Sequence, residues 1–110
     1  MLFSTPTQEI SQLEANLCYA FVDSTRILIL YALNEHPHNV TQLTNQLGAP
    51  QPKISRHLKV LRDLGLVHAT RQGATLTYEL TDIRLIEVLD ILRRVLKDGI
   101  ALKANLIAEI

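Results

Sequence analysis

The chain has 110 residues, 47% of them apolar, with 11 basic and 11 acidic side chains and one cysteine, Cys18. This length suits a single domain, residues 1–110, that buries roughly two thirds of its unfolded surface without staples. The lone cysteine excludes an internal disulfide framework and fits a reducing cytoplasm, which is the expected location. No membrane association is expected: Asn34, Glu35, Arg84 and Glu87 interrupt every apolar run short of the ~18–20 residues that span a bilayer. The opening MLFSTPTQEI lacks the basic-then-apolar order of a secretory signal.

After a polar tail, Ile10, Leu13, Leu17, Ala20 and Phe21 recur at helical spacing and predict a first helix from about Ile10 to Val22. Asp23 reads as the N-cap of a second helix carrying Ile27, Leu28, Leu30, Tyr31 and Leu33. His36-Pro37 ends it, because the residue before a proline avoids the helical region. In the next stretch, NVTQLTNQLG, Asn39 and Gln42 have the form of a capping box, and Val40, Leu43 and Leu47 make one face of a two-turn helix. Gly48 closes that helix and Pro50 precedes another. Two short helices around a tight glycine-containing turn are the signature of a helix-turn-helix.

The second of these helices, about Gln51 to Leu64, sorts by angle into two faces. Ile54, Leu58 and Leu61 lie on one, with Val60 and Leu64 on its shoulder. Ser55, Arg56, Lys59 and Arg62 point the other way, and Gln51 and Lys53 sit at the N-terminal tip. Residues 50–73 hold five cations, Lys53, Arg56, Lys59, Arg62 and Arg71, against one acid, Asp63, so this segment carries +4 and the rest of the neutral chain −4. Taken alone, the helix is equally well an ordinary amphipathic helix with a solvated charged face.

Gly65 ends this helix, and LVHATRQG-ATLTYEL then shows two β-type runs around Gln72-Gly73. Val67 and Ala69 alternate opposite Leu76, Tyr78 and Leu80, as a hairpin requires, with Arg71 and Gln72 at the tip. Asp82 caps a last helix with a seam of Leu85, Ile86, Leu89, Leu92 and Leu96. Gly99 is placed to end or bend it before the spacing resumes at Ile100, Leu106, Ile107 and Ile110. The fold class expected is mainly α with a small β-hairpin: a winged helix-turn-helix.

These segments resemble the ArsR/SmtB family of bacterial and archaeal transcriptional repressors over about residues 20–97. The resemblance rests on DSTRILILYAL, VTQLTNQLG, QPKISRHLKVLRDLGLV and the short wing RQGATLTYEL, the third being the most specific. Pro50 departs from it, standing where such proteins usually carry a serine cap. The resemblance implies a homodimer whose first and last helices pack across a two-fold axis, with Leu13, Leu17, Phe21, Leu89, Leu92 and Leu96 at the interface. The sequence supports this independently, since the terminal helices carry more large aliphatics than a three-helix core needs. Such a dimer would set two recognition helices about 34 Å apart, over a palindromic operator.

The expected partner is therefore double-stranded DNA, with the helix from Gln51 in the major groove. Gln51, Lys53, Ser55 and Arg56 would lie closest to base edges, where Gln suits adenine and Arg or Lys suits guanine. Lys59 is expected on phosphate, Thr41 and Gln42 would offer amides and side chains to phosphate, and Arg71 and Gln72 would reach the flanking backbone or minor groove. His57, at the edge of the apolar face, is assigned packing or hydrogen bonding within the domain. Asp63 is assigned a limit on non-specific affinity, and Arg62 a solvated or ion-paired place.

The resemblance also implies release from DNA by a metal ion, an arsenical or a sulfur species, but the matching residues do not supply the usual ligands. Asn39 and Thr41 stand where an arsenic site would place its C-x-C. Of the Asp-x-His and His-x-x-His of the zinc site, only Asp82 is present, with Arg84 in place of the first histidine and no histidine after His68. No cofactor is expected and the inducer is not identified. Cys18 stands between two readings, a redox or soft-metal sensor near the dimer helices and, favoured, a small apolar filler. His36-Pro37-His38 offers two imidazoles, short of a metal site without further ligands. No phosphate-cradling glycine loop or nucleophile-base pair suggests an enzyme. The rival from another class is a winged helix used for protein–protein assembly, which usually replaces the exposed cations of the second helix by acids or apolar residues.

Overall fold

The structure, a computed structural model, describes residues 5–108. Its elements follow the expected order: α1 (Pro6–Glu9), a π-helical turn (Ile10–Glu14), α2 (Ala15–Ala20), α3 (Ser24–Glu35), α4 (Val40–Leu47), α5 (Gln51–Asp63), β1 (Val67–Gln72), β2 (Thr75–Leu80) and α6 (Arg84–Ala108). Ile110, expected on the last seam, lies outside the described residues. Among the described residues no single helix is long and apolar enough to cross a membrane; the Pro6–Ala20 and Ser24–Glu35 segments are apolar enough together but meet at 89°.

The N-terminal helix differs from expectation at both ends. It starts at Pro6 with Thr5 as cap and stops at Ala20, and the π turn advances its register by one residue in the middle. The apolar spacing therefore does not make one buried face. Only Ala20 is fully enclosed; Leu17 and Phe21 are half-buried, and Ile10 and Leu13 are exposed.

From Asp23 onward the local chemistry is as read. Asp23 Oδ1 accepts the Thr25 amide at 2.7 Å and α3 ends at Glu35. The spacing misplaces one residue of α3, where Leu28 faces out and Ile29 is in the core. The capping box of α4 is complete, with Gln42 N donating to Asn39 Oδ1 and Asn39 N donating to Gln42 Oε1, both at 2.8 Å. Asn39→Ala is expected to cost about 1 kcal/mol, read in chemical denaturation, because the Gln42 amide loses its side-chain acceptor.

Gly48, at φ 67°, ends α4 in the left-handed region, which lets α5 start three residues later. Pro50 at the N-cap makes no side-chain bond, the deficit expected from losing a serine there. At the other end, Gly65 N donates to the Arg62 carbonyl and Leu66 N to the Leu61 carbonyl, a Schellman motif that needs the φ of 75° that Gly65 adopts. α5 thus ends at Asp63 rather than Leu64, which is its C-cap.

The hairpin register is Val67 to Leu80, Ala69 to Tyr78, Arg71 to Leu76 and Gln72 to Thr75, so Gly73-Ala74 form the tip and Arg71 lies one pair below Gln72. A feature absent from the sequence reading secures its base. His38 and Tyr78 exchange backbone hydrogen bonds of 3.1 and 2.8 Å, joining the α3–α4 connection to the middle of β2.

One core unites these elements: Ile29, Leu30 and Leu33 from α3, Leu43 from α4, Ile54, Leu58 and Leu61 from α5, Val67 and Tyr78 from the hairpin, Ile86 and Leu89 from α6. α6 runs unbroken through Gly99, so of the two alternatives there, an end or a bend, the end does not occur, and 25 residues give about 37 Å of helix. Beyond Asp90 every described residue of it is exposed. The chain is accordingly drawn out, with a radius of gyration of 17.1 Å, where a compact domain of this length would have about 13 Å.

Candidate nucleic-acid interface

Burial of Ile54, Leu58 and Leu61 fixes the rotation of α5, and that rotation decides what its other face shows. Gln51, Ser55, Arg56, Lys59 and Arg62 are exposed and Lys53 is half-buried. Ser55, Lys59 and Arg62 line one cleft together with Asp63. Across the hairpin a second cleft, of about 310 Å³, gathers Asn39, Val40 and Thr41 from the start of α4 with Arg71, Thr75 and Leu76 from the wing. The fold therefore brings Thr41 and Arg71 to one place and Ser55 and Lys59 to another. Gln42 is exposed, but its side-chain oxygen is already committed to the capping box. Gln72 is exposed at the end of β1.

The cations are not all equally available. Lys59 Nζ lies 3.0 Å from Asp63 Oδ2, one helical turn on, with both side chains largely in solvent. Such a pair is worth only a few tenths of a kcal/mol and is screened by salt, so a phosphate could displace the carboxylate at small cost. Arg56, Arg62 and Arg71 have no acidic partner within ion-pair distance among the described residues.

His57 takes the internal role expected of it. Its Nδ1 accepts a hydrogen bond of 3.1 Å from Arg26 Nε, and its Nε2 lies 3.7 Å from Asp23 Oδ2. Burial pushes the imidazole below its usual range, with Asp23 opposing and Arg26, Lys53 and Arg56 adding to the effect. The Thr25 amide hydrogen bond holds the Asp23 carboxyl below its ordinary value. Arg26 went unnoticed in the sequence, although Asp23-x-x-Arg26 places both charges on one side of the first turn of α3.

The other singled-out residues are placed as follows. Leu92 and Leu96 are exposed along α6, but Leu89, expected at the interface, is 4% exposed and belongs to the core of the single chain. It reaches the core because α6 crosses α3 at that turn, leaving the later leucines beyond it. Cys18 is exposed, so the favoured reading of an enclosed filler does not hold within the protomer: α2 is covered only near Ala20. Asp82 caps α6 through the Arg84 amide at 2.9 Å, and the Arg84 guanidinium also forks onto its carboxylate, holding the carboxyl down to about 2. The oxygen that a zinc site would need is thus occupied by an arginine. His36 and His38 stack at 4.0 Å, each with Nδ1 on a backbone carbonyl and His38 Nε2 2.8 Å from the Gln46 amide. Those bonds give the pair a role in the turn, and among the described residues no three potential metal ligands come together.

Comparisons with known proteins bear on the family and the fold. A family model described as bacterial regulatory protein, arsR family, matches residues 23–69, which run from the cap of α3 into β1. The HTH-type transcriptional regulator NmtR of Mycobacterium tuberculosis is 37% identical over 76 residues, covering 69% of this chain and 63% of that protein. The chain thus spans under two thirds of that relative's length. An uncharacterized HTH-type transcriptional regulator, MJ1325 of Methanocaldococcus jannaschii, is also 37% identical over 76 residues, covering 68% of this chain and 85% of its own. Among solved structures, the transcriptional repressor BigR from Xylella fastidiosa superposes with a TM-score of 0.71 at 27% identity, over 81% of this chain and 91% of that one.

Proposed function

The chain belongs to the arsR family of bacterial regulatory proteins, and we propose that it acts as a homodimeric, sequence-specific repressor that binds double-stranded DNA through α5 and the wing. The observation that carries this is the division of α5: three enclosed aliphatics on one face, and on the other Gln51, Ser55, Arg56 and Lys59 in solvent. Bases are read by Gln51, Lys53, Ser55 and Arg56 at the exposed start of the helix. Phosphates are held by Lys59, by Thr41 and Gln42 at the start of α4, and by Arg71 and Gln72 in the wing. No reaction is assigned to the protein, whose relatives are transcriptional regulators.

The dimer is supported by surface area. The chain exposes 7882 Å², whereas a compact globule of 12.4 kDa would expose about 6,100 Å². The excess is more than the ~800 Å² per partner of a standard interface. The exposed large apolar side chains include Ile10 and Leu13 of the N-terminal segment and Ile91, Leu92, Val95, Leu96 and Ile100 of α6. Leu17 lines one hollow with Leu13, and a second copy covers both terminal helices at once.

The test is selection from a random duplex pool, followed by titration of the winner at several salt concentrations. An enriched inverted repeat with half-sites about one helical turn apart, and an affinity falling steeply with salt, is the expected result. No enrichment, with weak binding or none, would replace this reading by a protein–protein assembly module.

A further inference from the structure

We propose that Arg26 and His57 are positioning residues that join the end of the N-terminal helical segment to the DNA-reading helix, through a hydrogen bond that exists only while His57 Nδ1 is unprotonated. The inference deepens the function proposed above and rests on it for its DNA readout.

Three contacts meet on the Arg26 guanidinium. Nη1 donates to the Tyr19 carbonyl at 3.0 Å, in the last turn of α2. The guanidinium carbon stands 5.0 Å over the Tyr19 ring, a distance at which a cation is attracted to the face of an aromatic. Nε donates to His57 Nδ1 at 3.1 Å. Arg26 thereby adds a second, charged donor to a carbonyl that already accepts from the Val22 amide at 3.3 Å, places a cation at the negative end of α2, and holds α5 with the same planar group. His57 directly follows Arg56 and lies one helical turn after Lys53, both assigned to base edges, so the bond fixes the turn of α5 that faces DNA.

The chemistry of the bond makes it conditional. A guanidinium has donors only and stays charged, so Nδ1 must present its lone pair, and the imidazole hydrogen must then be on Nε2, toward Asp23. A proton on Nδ1 would set N–H against N–H beside a fixed positive charge. Asp23 on α3 favours that proton; Arg26 on α3 and Lys53 and Arg56 on α5 oppose it. Because burial lowers the affinity of His57 for a proton in the folded chain, its contribution is fully present above the ordinary imidazole value of about 6.5. It is lost as pH falls below that value through the folded one.

The experiment compares the wild type, His57→Asn and Arg26→Ala on the selected duplex at about pH 7.5, above the free imidazole value, and at a pH below the His57 titration found by NMR in the free protein. Asparagine sets an amide oxygen where Nδ1 stands and cannot titrate. The wild type should lose about tenfold in affinity on acidification, the worth of one hydrogen bond to a charged group. His57→Asn should bind within about threefold of wild type at the higher pH and lose no more than that at the lower. Arg26→Ala should be weak at both. Both variants keep His36, His38 and His68, so other histidines cannot supply the difference. An acid loss in His57→Asn equal to that of the wild type overturns the proposal.

A DNA-independent readout separates this failure from failure of the DNA-binding reading itself. In the free wild-type protein, nitrogen NMR should find His57 with the hydrogen on Nε2 at neutral pH, and the Tyr19 ring signals should move with the His57 titration. A hydrogen on Nδ1, or Tyr19 signals indifferent to that titration, overturns the coupling whether or not any duplex is selected.

Discussion

Leu61→Ala should lower the stability of the chain by about 3 kcal/mol, with a fall in melting temperature of roughly 10–20 °C. Leu61 is fully enclosed on α5, and its carbonyl accepts the Leu66 amide that closes the helix. Truncation removes an enclosed aliphatic from the one core that α3, α5 and β1 share. The surroundings cannot collapse onto the gap, because the Schellman motif at Gly65 fixes the direction in which the chain leaves. Chemical denaturation measures this directly, and a loss below about 1 kcal/mol would mean that the site repacks freely. The same substitution should abolish DNA binding only under conditions where the protein unfolds, which separates it from changes on the opposite face.

On that opposite face, Arg56→Ala should weaken binding to the selected duplex by about ten- to a hundredfold and relax one operator position, as the loss of a guanidinium fork on a guanine would. Lys59→Ala should weaken selected and unrelated duplexes alike and reduce the salt slope by about one. The contrast follows from position. Arg56 is exposed in the first half of α5, where a major-groove helix points its residues at base edges. Lys59 lies a turn later, already leaning on Asp63, and exchanges that carboxylate for a phosphate. Titration of both variants against the selected and a scrambled duplex decides the matter. Equal losses on both sequences from Arg56→Ala would remove it from base reading.

Much of the fold was legible because its signals are local. Asp23, Asn39 with Gln42, Gly48 and Gly65 each specify a cap or turn through bonds within a few residues, and all four act as their spacing predicts. The two faces of α5 were equally readable, since a period of 3.6 over thirteen residues leaves little freedom. What failed depends on partners far away in sequence. The N-terminal helix has an apolar stripe but no nearby face to bury it, and its π turn breaks the period on which the reading relied. Leu89 and Leu92 look alike in a heptad seam, and only the crossing of α6 over α3 makes one core and the other surface. The Arg26–His57 bond joins residues 31 apart, and the His38–Tyr78 bridge joins residues 40 apart, with no pattern in either stretch to announce them.

The strict division of labour along α5 also bears on how such a protein can diverge. Ile54, Leu58 and Leu61 carry the burial, while Gln51, Ser55 and Arg56 are exposed. Exchanges at the second set cost little stability. A duplicated copy of the chain can therefore drift to a new target sequence through folded intermediates, without first acquiring a compensating change in its core.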